Sequence, residues 1–250
     1  MNNSIYRRLK DKAVKTSEKL GAPSFYEAFR KELDISRFSF SVSDAIRRCR
    51  SCLDEANLHP AHGFIHLEKV AVEAGALVQT ESENYGSHVR DTGELMLCAQ
   101  IAGLLHDITR NGKDHAVTGS IEAALILRDF DISEAGKRYI IAAIRNHEAF
   151  KSVLASDEEA CRLVCDSLYD ADKFRWGPDN FTTTLWLITE SSGMPAETLY
   201  CVFRKKMEVI ARIGDTFRTE TGRKYGPEFI NMGMEIGNVI YRELGKILGD

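Results

Sequence analysis

The sequence predicts an all-α protein, and three observations carry that expectation. Apolar residues recur at helical spacing almost throughout; Leu95, Cys98, Ile101, Ala102, Leu105 and Ile108 mark one such face. Alternating strand patterns are scarce, and RFSFSVS at 37–43 is the one candidate. Turn formers cluster at a few breaks between the periodic stretches, with no long Gly/Ser or Pro-rich linker.

Taken in order, residues 1–56 read as an N-terminal helical extension packed on the core. Within it DAIRRCRSCLDEA follows the strand candidate as a helix, with Ser43 or Asp44 as its cap. NLHPAHG (57–63) breaks the chain, and HGFIHLEKV then places His62 and His66 four apart on one helix face. TESENYGSHVRDTGE (80–94) reads as a polar loop. The apolar helix ending in LLHDI closes at TRNGKD (109–114). Asp114 suits an N-cap for the next helix, whose apolar face is Ile121, Ala124, Leu125 and Leu127. Ile140, Ile141 and Ile144, followed by His147, mark a third face, and Cys161, Val164, Cys165 and Leu168 a fourth. Residues 57–180 form the expected core unit. Residues 181–250 read as further helices of the same globular unit, broken at SSGMP (191–195) and by a loop at TETGRKYGPE (219–228).

Composition narrows the function. A chain of 250 residues that is 44% hydrophobic can bury one large core. Its net charge of −4 lacks the basic footprint of a nucleic-acid binder, and clusters such as Arg204-Lys205-Lys206 read as solvated faces. No stretch approaches the roughly 20 apolar residues that span a bilayer, and MNNSIYRRLKDKAVK lacks the apolar region of a secretory signal. The six Cys therefore read as reduced thiols of a cytoplasmic protein. Cys49, Cys52, Cys161 and Cys165 have the count for a thiolate zinc site. Their helical spacing favours small buried apolar residues instead.

The chemistry lies in charges placed where a core should continue. His66, His106-Asp107, His115, His147, Asp170 and Asp172 each stand at the polar end of an apolar segment. Such groups are costly to bury unless paired or bound to metal. Helices ending together can gather them into one pocket, and imidazole with carboxylate suits Zn, Fe, Mn, Co or Ni. His106 and Asp107 point about 100° apart on a helix, so an ion near the helix end can meet both.

The ordered set H…HD…D resembles the HD-domain metal-dependent phosphohydrolase superfamily over roughly residues 58–180. HGFIHLEKV is similar to the family's first-His helix, with Lys69-Val70 in place of Arg-Val. GLLHDI is similar to the HD segment, and DADKF to the final-Asp segment. The resemblance implies an HD-domain-like helical bundle holding one divalent ion, Mn, Fe, Co, Ni, Zn or Mg, through His66, His106, Asp107 and Asp172. It makes those four the expected catalytic set. His115 and His147 occupy places where some members bind a second metal; with His62 and Lys173 they are candidates for that ion or for substrate. Thr109 departs from the common HDIG form, and the GYP segment is absent, which argues against cyclic-dinucleotide chemistry.

The implied activity is hydrolysis of a nucleotide or other small phosphate ester by metal-activated water. Two rivals stand beside it: a di-iron oxygenase on the same scaffold, and a catalytically silent nucleotide-sensing module. Lys113, Arg110 and Arg145 could meet phosphate or simply face water; Trp176 could stack on a base or fill the core. The extensions could also mediate self-association into a homo-oligomer.

Overall fold

The computed structural model describes residues 2–53, 58–82 and 91–249. Most of the loop expected at 80–94 and the first residue of the 57–63 break lie outside them. The described residues are helical with no strand. The helices are α1 (Asn2–Leu20), α2 (Phe25–Ala28), α3 (Arg30–Val42), α4 (Asp44–Ser51), α5 (Phe64–Glu81) and α6 (Thr92–Leu105). They continue with α7 (His115–Ile126), α8 (Glu134–Arg145), α9 (Glu159–Phe174), α10 (Leu185–Ser192), α11 (Ala196–Ile213) and α12 (Glu220–Leu248). Short tighter turns at Pro60–His62 and Leu127–Asp129, and a wider one at Asn180–Thr184, join some of them. Among the described residues, no helix is long and apolar enough to cross a membrane.

α5 and α6 form the centre, with α9, α3 and α8 packed around them. α6 is buried on every side from Leu95 to Leu105 except at Leu97, which explains its almost unbroken apolar sequence. Gly103 lets the two central helices touch: a Cβ there would lie 2.5 Å from Ala71 Cα. One apolar cluster runs from Leu9 in α1 to Leu244 in α12, so the terminal helices share the core with the centre.

Several expectations are corrected. Residues 37–43 lie almost wholly in α3, with Ser43 its C-cap, and form no strand. Leu33, Ser36 and Phe40 line its buried side at helical spacing, which leaves Phe38 at 69% exposure. α7 turns the opposite way from most of its predicted face, although Leu127, just past its end, is buried as expected. Ala116, Gly119, Ser120 and Ala123 are buried, while Ile121 and Leu125 are exposed; small residues let α7 lie close on α8. The predicted loop at 219–228 is the start of α12, with Pro227 inside the helix. Thr219 caps it by accepting from Gly222 N at 2.7 Å. Ser43 caps α4 as expected, but Asp114 makes no side-chain cap and adopts φ 51°. Of the Cys quartet, Cys52 is exposed, and all six thiols are free.

Two buried carboxylates hold the start of α12. Asp170 accepts from Arg218 N, Thr219 N and Thr219 Oγ1 at 2.7–2.8 Å, and Glu81 accepts from Thr221 N at 2.7 Å. Burial pushes the Asp170 carboxyl up to about 7 despite these donors.

Candidate metal centre

Helix ends deliver every side chain of the centre. His106 follows the last residue of α6, and Asp107 comes next. His66 stands in the first turn of α5, His115 opens α7, His147 lies just past α8, and Asp172 occupies the last turn of α9. The single face expected for His62 and His66 is instead two elements: His62 closes the Pro60–His62 turn, and α5 begins at Phe64 after the N-cap Gly63. Their rings still stack edge-on at 4.7 Å.

Asp170 and Asp172 are two positions apart on α9, so they point roughly 200° from each other. Asp170 therefore meets α12, and Asp172 meets the histidines. His66 Nε2 and His106 Nε2 lie 3.3 Å apart, and each is 3.6 Å from Asp172 Oδ1. Asp107 Oδ2 is 3.3 Å from His106 Nε2 and 3.8 Å from His66 Nε2. His62 Nδ1 approaches the same oxygen at 2.7 Å. The other oxygen, Asp107 Oδ1, faces a second set: His115 Nε2 and His147 Nε2 are each 3.5 Å from it and 3.2 Å from one another.

Three features of these residues fit divalent cations. Donor atoms about 2.1 Å from an ion at tetrahedral or octahedral angles lie about 3.0–3.5 Å from each other, and the separations here are close to that. Asp107 Oδ1 is a buried acceptor with no hydrogen-bond donor in good geometry. Two of the remaining ring nitrogens are also tied down. His106 Nδ1 donates to the Gly103 carbonyl at 2.8 Å and His147 Nδ1 to the Ile144 carbonyl at 2.6 Å. A carbonyl only accepts, so these nitrogens carry the protons and both Nε2 atoms face the cluster. Buried His and Asp groups here can therefore hold a metal ion.

Charge is shared unevenly without metal. Burial pushes the His106 imidazole down, but Asp107 and Asp172 outweigh it and carry it up to about 10. Burial and the neighbouring His106 push His66 down to about 3. Burial alone would raise Asp107 and Asp172. His106 holds Asp107 well below the usual carboxylate range, and Lys173 with His106 does so for Asp172. One proton on His106 thus stands where a cation would.

Lys173 is buried. Its Nζ donates to the His147 carbonyl at 2.8 Å and pairs with Asp172 Oδ2, facing inward. Arg110 Nη1 reaches His115 Nε2 at 2.6 Å, and Glu148 lies 3.6 Å from His115 Nδ1. Lys113 and Arg145 are exposed, and Trp176 packs against the core. Among the described residues, the two non-glycines at positive φ, Asp114 and Phe150, both flank the second set.

Sequence reasoning missed Asn146 and Gly103. Asn146 clasps Leu154 through both its amide atoms at 2.9–3.0 Å, closing the loop that begins at His147. A polar residue capping an apolar helix was its only signal. A cavity of about 740 Å³ is lined by residues of α3, α4 and α5 such as Phe40, Arg47 and Val72 and by none of the cluster. The chemistry of the donor set, not cavity size, identifies the site.

Comparison of the chain with family models, curated proteins and solved structures finds no match.

Proposed function

We propose that this chain is a metal-dependent phosphohydrolase of the HD-domain type, acting on a nucleotide or another small phosphate ester. The observation that supports this most is the division of Asp107 between two donor sets. His66, His106 and Asp172 with Asp107 Oδ2 would hold one divalent ion; Asp107 Oδ1, His115 and His147 would hold another. Imidazole and carboxylate donors suit Mn, Fe, Co, Ni or Zn better than Mg. When bound, such ions lower the pKa of a coordinated water and polarise a phosphoryl oxygen.

The chain's own groups then orient and confine. Lys173 keeps Asp172 Oδ1 turned to the histidines by holding Oδ2. The Gly103 and Ile144 carbonyls fix the rings of His106 and His147. His62 and Arg110, with side chains 15% and 31% exposed, stand at the open edge, where an anionic substrate would enter. A carboxylate shared by two histidine-rich sets equally suits two irons, and a mixed-valence signal in anaerobically reduced protein would favour that oxygenase reading.

The test is phosphate release by Mn2+-loaded protein across nucleotides and other phosphate esters. Release that disappears in His106→Ala supports the reading. Protein shown to hold metal but releasing phosphate from no ester overturns it.

A further inference from the structure

We propose that Arg110 is a built-in rival of the second cation: its guanidinium stands at the Asp107–His115–His147 set and must leave before an ion enters. The proposal rests on the metal-centre reading above. Arg110 lies in the turn after α6, three residues beyond Asp107, and its side chain is 31% exposed. Its Nη1 is 2.6 Å from His115 Nε2 and 3.7 Å from Asp107 Oδ1.

A guanidinium has donors only, so His115 Nε2 accepts with its lone pair. The same lone pair would bind a metal. His115 Nε2 is also the atom that faces Asp107 Oδ1 and His147 Nε2. Arg110 therefore uses up a donor of the second set and compensates the buried carboxylate charge there. The first set differs. Lys173 meets Asp172 through Oδ2 and leaves Oδ1 facing His66 and His106.

Two consequences follow from the geometry. The first ion binds without displacing Arg110, whereas the second must break the Arg110–His115 contact and so binds more weakly. Once displaced, the partly exposed guanidinium is free at the open edge, where its planar fork matches a phosphate dianion. Filling the second position thereby delivers a phosphate-binding cation to the rim.

Mn2+ binding to wild type, Arg110→Gln and Arg110→Lys, followed by equilibrium dialysis, tests the proposal. In Arg110→Gln the second ion should bind at least about tenfold tighter (about 1.4 kcal/mol), with the first unchanged. Arg110→Lys keeps the charge and should stay nearer wild type. An unchanged second affinity in Arg110→Gln overturns the proposal while leaving the centre intact. Failure of all three proteins to hold any Mn2+ overturns the centre, and the proposal with it. Wild type gives an independent check, because the Arg110 Nε–H resonance should move with the second equivalent of Zn2+ and not with the first. A resonance that moves with the first equivalent, or with neither, contradicts the displacement.

Discussion

Lys173 donates from Nζ to the carbonyl oxygen of His147 at 2.8 Å, tying the end of α8 to α9. Because the same ammonium pairs with Asp172, one buried cation braces a member of each donor set. Lys173→Met should leave a buried carbonyl and a buried carboxylate without their partner, at about 1–3 kcal/mol each. Thermal unfolding of the metal-free variant should fall by several degrees, and excess Mn2+ should restore part of it. A variant as stable as wild type that also binds metal equally would show that Lys173 braces nothing.

The two aspartates of α9 should separate cleanly under substitution. Asp170→Ala strands the three donors at the start of α12 and should cost about 1–3 kcal/mol for each one left unmet. Its bound metal should stay at the wild-type level. Asp172→Ala should lose metal instead. Denaturant unfolding and elemental analysis of both proteins decide the matter; metal loss in Asp170→Ala would reverse the assignment.

Metal affinity should rise with pH. Asp107 and Asp172 raise the His106 pKa to about 10, so below that value the imidazole carries a proton that the ion must displace. Binding of the first ion should release about one proton at neutral pH. Calorimetric titration in two buffers of different ionisation enthalpy reads that number directly. No dependence on the buffer would mean that the cluster holds no such proton.

Gly103 sets the separation of α5 and α6. A side chain there would overlap Ala71 backbone at 2.5–2.7 Å. Gly103→Val should cost about 1–3 kcal/mol or more through overpacking. It should also weaken metal binding, because it moves His66 on one helix away from His106 at the end of the other. Unfolding at wild-type denaturant concentration would contradict the close contact.

The centre was legible where an apolar run ends in charge. The apolar run of AQIAGLLHD ends in His106 and Asp107, a pair that alone also reads as a polar helix cap; the structure buries both at the end of α6. The choice of Asp172 over Asp170 comes from the resemblance of DADKF to the final-Asp segment; their nearly opposite directions on α9 explain why only one of them meets the histidines. Other features do not follow from apolar periodicity. α7 buries Ala, Gly and Ser, so counting large apolar residues points to its wrong side. The segment at 219–228 looks like a loop because of Gly222, Gly226 and Pro227. Yet Thr219 caps it, and both glycines press against the neighbouring Asp170 and Phe217. Arg110 reaches His115 only through the shape of the 106–114 turn, which helical spacing does not encode.

The most direct measurement is the metal content of wild type and Asp107→Ala after loading with excess Mn2+, with circular dichroism confirming the helices. Two ions per chain in wild type, and loss of both from a folded Asp107→Ala, are expected of a carboxylate shared by two sets. A folded Asp107→Ala that keeps the wild-type content, or a wild type that holds no ion, would contradict it.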